Sequence, residues 1–360
     1  MKRMISVETR HRTATLRHKP ARRMRCVVVA ALAAVAITGF AGDGHAAGPT
    51  ELRFAYPDPP NTPQYTDFIQ PWTAKLNKEG EGLFHVKVFV GTTLANMGNA
   101  LDRVETDVAQ IGFCILGPVS RQFPQTLVAT LPLVANNAHE AGLALQRLYD
   151  KGVIADEWTK VKPLAFGVYP ALTFHTVPMV KTLDDLKGLK ISVQGRIAGE
   201  TLEALGGTPI TLPIDELYEA LQRGTIEGSA LGWPGITANK LTDIVKHHVL
   251  EPLGGAEVAI VMNKAAYARL PKKAKDVIDA NSGTVFTAQL NDFVDHTTQQ
   301  AIDDIRHMKG QTIETLSPAQ QALWRTRIEP VIASWEKSTP DGTQVLAAFR
   351  EQVKAIRSGS

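Results

Sequence analysis

Residues 182–233 read TLDDLKGLKISVQGRIAGETLEALGGTPITLPIDELYEALQRGTIEGSALGW, and this stretch decides the fold. Runs of strand length at 190–193, 209–212 and 225–231 alternate with helix-patterned segments at 199–205 and 214–223. Gly188 and Gly224 stand where a tight turn must close before a strand. Gly206-Gly207 ends a helix, and Pro209 and Pro213 bracket the middle strand. Three strands linked by two helices are the pattern of an α/β lobe.

The same logic extends outward. Upstream, 51–56 (ELRFAY) and 84–90 (FHVKVFV) alternate as strands, 110–115 (QIGFCI) is a short apolar strand, and 161–169 supplies another. Helices are expected at 65–77, 99–106 and 137–151, the last started by Asn137 as N-cap. Downstream, 257–263 (EVAIVMN) returns as a strand, and the remainder to about residue 357 reads as helical. A second α/β unit without a low-complexity linker predicts an α/β, two-lobed fold with lobe-crossing strands and a long C-terminal helical region. Lobe I is expected over 47–170 plus 257–296, and lobe II over 171–256 plus 297–360. The segment 318–337, carrying Trp324 and Trp335, is expected to pack across the back of the lobes.

The chain has 360 residues, and its net charge of +3 is unevenly placed. Residues 1–25 hold nine Lys and Arg, then comes the apolar run 26–40 and a small-residue exit at Gly44-His45-Ala46. This is the layout of a secretory signal peptide over 1–46, with a run too short to span a membrane. Arg22-Arg23 lacks the rest of a twin-arginine motif, which favours the general export route, and Met24 is an alternative start. Beyond residue 46 there are 30 Lys and Arg against 34 Asp and Glu, so the basicity that would favour nucleic acid disappears. Only Cys114 remains there, too few for an internal disulfide and expected to pack as a small hydrophobe.

Catalytic patterns are missing. The histidines show no H-E-x-x-H spacing, and His247-His248 reads as a solvated pair at a helix-to-loop junction. Gly228-Ser229-Ala230-Leu231-Gly232 lacks the central serine of a nucleophile elbow. No phosphate loop occurs. The reading is therefore no enzyme, no metal and no cofactor.

Certain phrases carry a resemblance. Asp185-Leu186-Lys187-Gly188-Leu189-Lys190-Ile191, then Leu205-Gly206-Gly207-Thr208-Pro209, then Glu216-Leu217-Tyr218-Glu219-Ala220-Leu221-Gln222-Arg223-Gly224 with Ile226-Glu227-Gly228 resemble the DctP-type solute-binding proteins of TRAP transporters. Gly91-Thr92-Thr93-Leu94, Ala109-Gln110-Ile111-Gly112-Phe113, Phe123-Pro124 through Leu131-Pro132, and Asn263 with Leu270-Pro271 are similar to further motifs of that family. The resemblance implies a two-lobed periplasmic binding protein fold, and a periplasmic receptor that traps a small solute, expected to be an organic acid, between two lobes and delivers it to TRAP permease subunits. A monomer is expected. In the family an Arg after the Lys-Ile pair forks onto the ligand carboxylate, and here that position is Ser192. A second family Arg falls near Leu172. Arg196 is the expected substitute guanidinium, with Ser192 and Gln194 as neutral donors.

Ligands of α/β lobes sit at the carboxyl ends of strands, which nominates Tyr56, Phe113, Tyr169, Phe174, His175 and Trp233 as stacking or hydrogen-bonding partners. His175 is expected to be a neutral, hydrogen-bonded side chain. Two competing readings are a ligand-binding partner of a membrane sensor and a secreted hydrolase or isomerase on the same frame.

Overall fold

The alternation Leu52, Phe54, Tyr56 that marks the first strand becomes one buried face of a central sheet strand. The computed structural model describes residues 48–170, 173–251 and 253–359. The expected signal peptide with Cys26 and Met24, and the position Leu172, lie outside the described residues.

The first half contains β1 (Thr50–Tyr56), α1 (Gln70–Glu79), β2 (Phe84–Val90), α2 (Ala100–Glu105), β3 (Ile111–Ile115), α3 (Ala138–Asp150) and β4 (Val161–Tyr169). Then come β5 (Phe174–Thr176), α4 (Leu183–Leu186), β6 (Lys190–Ser192), α5 (Arg196–Ala204), β7 (Thr208–Ile210), α6 (Leu217–Gln222), β8 (Gly228–Ala230), α7 (Trp233–Ala238) and β9 (His247–Val249). The chain finishes with β10 (Ala256–Asn263), α8 (Lys264–Arg269), α9 (Lys272–Ala280), α10 (Gly283–His307), β11 (Thr312–Glu314), α11 (Pro318–Ser338) and α12 (Gly342–Arg357).

Two sheets organise these elements, in the strand orders β2-β1-β3-β10-β4 and β11-β9-β5-β8-β6-β7. The α/β, two-lobed expectation holds. In the first sheet β1 runs parallel to β2 and β3, and β10 runs antiparallel to both β3 and β4. In the second, β6 is parallel to β7 and β8, and β5 is antiparallel to β8 and β9. β10 explains its own composition: Val258, Ile260 and Met262 face one hydrophobic cluster, and Ala259 and Val261 the other. A strand buried on both faces reads as a continuous apolar run.

β4 is the outer strand of its sheet, yet its free edge is sealed by side chains of α10. Thr287 Oγ1 accepts from Phe166 N at 3.1 Å, Asn291 Oδ1 accepts from Val168 N at 2.9 Å, and Asn291 Nδ2 donates to Phe166 O at 2.8 Å. Residues four apart share a helix face, so two side chains replace a missing strand. Gly142 of α3 is required beside them, because a Cβ there would run into the Asn291 amide. α10 lies along β4 and α3 and reaches α7 beside the second sheet.

α11 packs on α5 and buries Trp324 and Trp335. α12 then packs on α3, where Arg357 Nε and Nη2 bond Glu140 Oε1 and Oε2 at 3.0 and 2.8 Å. The segment 297–360 thus contains both α11, packed on α5, and α12, packed on α3.

Several local expectations are corrected. Residues 64–69 form a π-helical turn before α1. β5, β9 and β11 were not expected. His247-His248 is not a solvated pair: it forms part of β9, where neighbouring side chains take opposite faces, and His248 is fully buried.

The two crossings set the site. β4 ends at Tyr169 and β5 begins at Phe174; β9 ends at Val249 and β10 begins at Ala256. The register places Tyr169 opposite Ala256, and Phe174 opposite Ala230 at the end of β8. The carboxyl ends of β1, β3 and β4 therefore share one edge, those of β6, β7, β8 and β9 another, and the crossings join these two edges.

Candidate ligand cleft

At the first sheet's carboxyl edge the backbone of β1 presents Tyr56 beside aromatic neighbours. Its ring lies 5.4 Å from that of Phe113 and 5.4 Å from that of Tyr65. Tyr169, at the end of β4, is half-buried in the same neighbourhood. Burial, and then the charge of Asp58, push the Tyr56 phenol up; burial, Tyr56 and Asp58 do the same to Tyr169. Asp58 itself is raised by burial.

Three polar atoms here have no completed hydrogen bond among the described residues. They are the hydroxyls of Tyr56 and Tyr169 and the Nε2 of Gln64. Thr62 and Asp58 flank the Tyr56 hydroxyl, and Gln64 flanks that of Tyr169.

The second sheet contributes a different arrangement. Its register aligns Ser192, Ser229, His175 and His248 across four adjacent strands, and side chains of paired residues project from the same face. All four are buried. His175 Nε2 donates to Leu231 O at 2.9 Å, so its Nδ1 is left to meet His248 Nδ1 at 2.6 Å. His248 Nε2 reaches Gln311 Oε1 at 2.9 Å. Trp233 stands edge-on to His175, with ring centroids 4.8 Å apart. Burial holds both imidazoles below their usual value, His175 strongly. The Ser192 hydroxyl, only 1% exposed, has no partner among the described residues.

The expected site residues thus separate into three groups. Tyr56, Phe113 and Tyr169 come together on the first sheet's edge, and His175 and Trp233 on the second, in the buried row that includes Ser192. Phe174 is fully buried and packs toward Trp324 at 6.0 Å. Gln194 and Arg196 are exposed and engaged locally: Gln194 Nε2 donates to Leu212 O at 2.9 Å, and Arg196 Nη1 to Glu200 Oε1 at 2.7 Å. Cys114 is buried, and burial pushes its thiol up.

Asp58, Gln64 and His248 were missed. The first two follow β1 in a proline-rich turn without periodicity, although a carboxylate placed just after a strand end is a usable signal. His248 was hidden by its neighbour, because adjacency says nothing about burial until the element is known to be a strand. Among the described residues no cluster of His, Cys, Asp or Glu has the makings of a metal site, and no helix is long and apolar enough to cross a membrane.

The family described as bacterial extracellular solute-binding protein, family 7, matches residues 54–338. The outer membrane transporter protein TsaT of Comamonas testosteroni is 26% identical over 309 residues, covering 83% of this chain and 90% of that protein. A marine metagenome TRAP solute-binding protein specific for aromatic acid ligands, solved with 3-hydroxybenzoate, superimposes with a TM-score of 0.79 at 26% identity, covering 86% of this chain and 99% of its own. A TRAP solute-binding protein from Rhodoferax ferrireducens, solved with copurified benzoate, gives 0.78 at 25% identity, covering 86% and 100%.

Proposed function

Because the chain belongs to the bacterial extracellular solute-binding proteins of family 7, the receptors of TRAP transporters, we propose that its solute is an aromatic monocarboxylate held between the two carboxyl edges. The observation that carries this reading is the aromatic group at the end of β1, where Tyr56, Tyr65 and Phe113 are in ring contact. A flat apolar ring is recognised by such surfaces through offset and edge-on packing. The aromatic acids bound by the two similar solved proteins support the same class.

We further propose that Tyr56, Phe113 and Tyr169 line one wall and that Ser192 and Trp233 stand on the other. Closure of the two lobes excludes water and strengthens each polar contact. With Ser192 in place of the family's arginine, the carboxylate is met by neutral donors, and Arg196 stays at the rim with Glu200. Lobe I in this reading is 47–170 and 257–296 with the last helix 342–357; lobe II is 171–256 and the segment through α11. The chain loses residues 1–46 on export, acts outside the cytoplasmic membrane as a monomer, and hands its solute to TRAP permease subunits without chemical change.

A thermal-unfolding screen of the purified protein tests the solute class. Benzoates and phenylacetates at about a hundred times their dissociation constant are expected to add about 2.7 kcal/mol, read as a raised midpoint. Stabilisation by aliphatic dicarboxylates or sugar acids alone would refute the aromatic assignment.

A further inference from the structure

We propose that His175 and His248 bind one proton jointly, between their Nδ1 atoms, and that this proton clips β5 to β9, the strands on the second-sheet side of the two crossings. The inference is independent of which solute the receptor carries.

A count of hydrogens carries it. A backbone carbonyl only accepts, so Leu231 O, 2.9 Å from His175 Nε2, requires a hydrogen on that nitrogen. Thr242 O likewise requires the amide nitrogen of Gln311, 2.8 Å away, and Lys246 Nζ donates to the same oxygen at 2.7 Å. That fixes the Gln311 amide and turns its Oε1 toward His248 Nε2 at 2.9 Å, which must therefore carry the second hydrogen. A neutral imidazole has one N–H, so both Nδ1 atoms would be bare. They lie 2.6 Å apart. Two lone pairs repel at that distance, whereas one hydrogen between them makes a short bond shared by both rings. There is no room for a second. The arrangement thus holds three hydrogens on four ring nitrogens and a single positive charge.

Both rings are fully buried, and their surroundings oppose charge. Ser229 on β8 and Trp233 on α7 are uncharged, and His247 is turned to Thr312 Oγ1 of β11 at 2.7 Å. Lys246 and His247 act on His248 as positive neighbours. Glu314 of β11 pairs with Lys181 at 3.6 Å, and Asp243, next to Thr242, is exposed. The first proton consequently enters below the ordinary imidazole value of 6.5, and the second is refused. While the pair is neutral one contact of the row has to give, and it is completed as the pH falls. His175 follows the crossing from β4 and His248 precedes the crossing to β10, so the joint between these two strands tightens on acidification.

The test is nitrogen-15 NMR of the histidine rings in the purified protein, titrated from about pH 7.5 to about pH 4.5, with amide hydrogen exchange on the same samples. The Nδ1 signals of His175 and His248 are expected to move together through one midpoint, with one proton taken up by the pair. The amides of β5 and β9, corrected for intrinsic rates, are expected to exchange at least about threefold more slowly below that midpoint. Gln311→Glu, which sets a carboxylate against His248 Nε2 at a half-buried position, is expected to raise the midpoint by about one unit or more. Two independent midpoints that sum to two protons, or no uptake by either ring, would overturn the joint site. So would a midpoint that Gln311→Glu leaves unmoved. Exchange that is unchanged or faster below the midpoint would overturn the clip.

Discussion

Replacing Asn291 with alanine should unfasten the free edge of β4. The side chain is fully buried and makes three hydrogen bonds, to Val168 N, Phe166 O and Thr287 O. The last is expendable, because the Thr287 carbonyl sits inside a helix and keeps its backbone partner. The first two are not: truncation strands one amide N–H and one carbonyl inside the protein, each costing about 1–3 kcal/mol. Asn291→Ala is therefore expected to destabilise by about 3 kcal/mol, measured as the loss of unfolding free energy in urea. Gly142→Ala gives an internal control. Alone it should cost about 2 kcal/mol, since its new Cβ collides with the Asn291 amide, whereas in the Asn291→Ala background the collision is gone. A double-mutant cycle should return a coupling of about 2 kcal/mol. A single-variant loss under about 1 kcal/mol, or additivity in the cycle, would refute the claim that these side chains seal the edge.

Other consequences concern charge and the cleft. Glu257 of β10 is 2% exposed with neither carboxyl oxygen partnered among the described residues, and burial raises it far above its usual value. Its contribution to stability is present at low pH and lost as pH rises through the raised value. Glu257→Gln should accordingly stabilise increasingly with pH, by about 2 kcal/mol at pH 8 in urea melts. His175 and His248 titrate below their usual 6.5, so their contribution is complete above that pH and lost as the pH falls from it. The unfolded chain binds their protons first. Relative to the wild type, a His175→Gln, His248→Gln double variant should lose the fall in urea midpoint between pH 7 and pH 5 that these two groups cause, and a retained fall would exclude them. Arg196→Ala should change solute affinity by less than about threefold in calorimetry, because an exposed pair with Glu200 at i,i+4 contributes only about 0.3–0.5 kcal/mol. A tenfold loss would return Arg196 to the site.

The long patterned elements were legible in the sequence, and their ends were not. β10 announced itself as a run of apolar residues, α3 by its Asn137 cap, which accepts from Glu140 N at 2.8 Å, and β2 by strict alternation. β5 and β9 stayed hidden, because each is held in place by strands distant in the sequence on both sides. The same cause hid the histidine pair. His175 and His248 are 73 residues apart and meet only because β5 and β9 pair in one register. Among the residues expected at the site, Tyr56, Phe113 and Tyr169 were nominated by the rule that ligands collect at strand ends, and the fold gathers them at one sheet edge. Asp58 escaped because the proline-rich turn that holds it has no pattern, and Gln64 because it opens the π-helical turn ahead of α1.

What the sequence alone determined was the order of the long strands and helices and the lack of any catalytic spacing. Those properties are local: they depend on period, turn chemistry and the identity of residues within one segment. Tertiary structure decided which strands become neighbours, that α12 returns to α3 through Arg357 and Glu140, that an amide from α10 finishes the edge of β4, and that the buried Ser192 hydroxyl is left without a partner among the described residues. Hydrogen-bond satisfaction is a property of the whole surroundings of an atom, and those surroundings come from segments far apart in the chain.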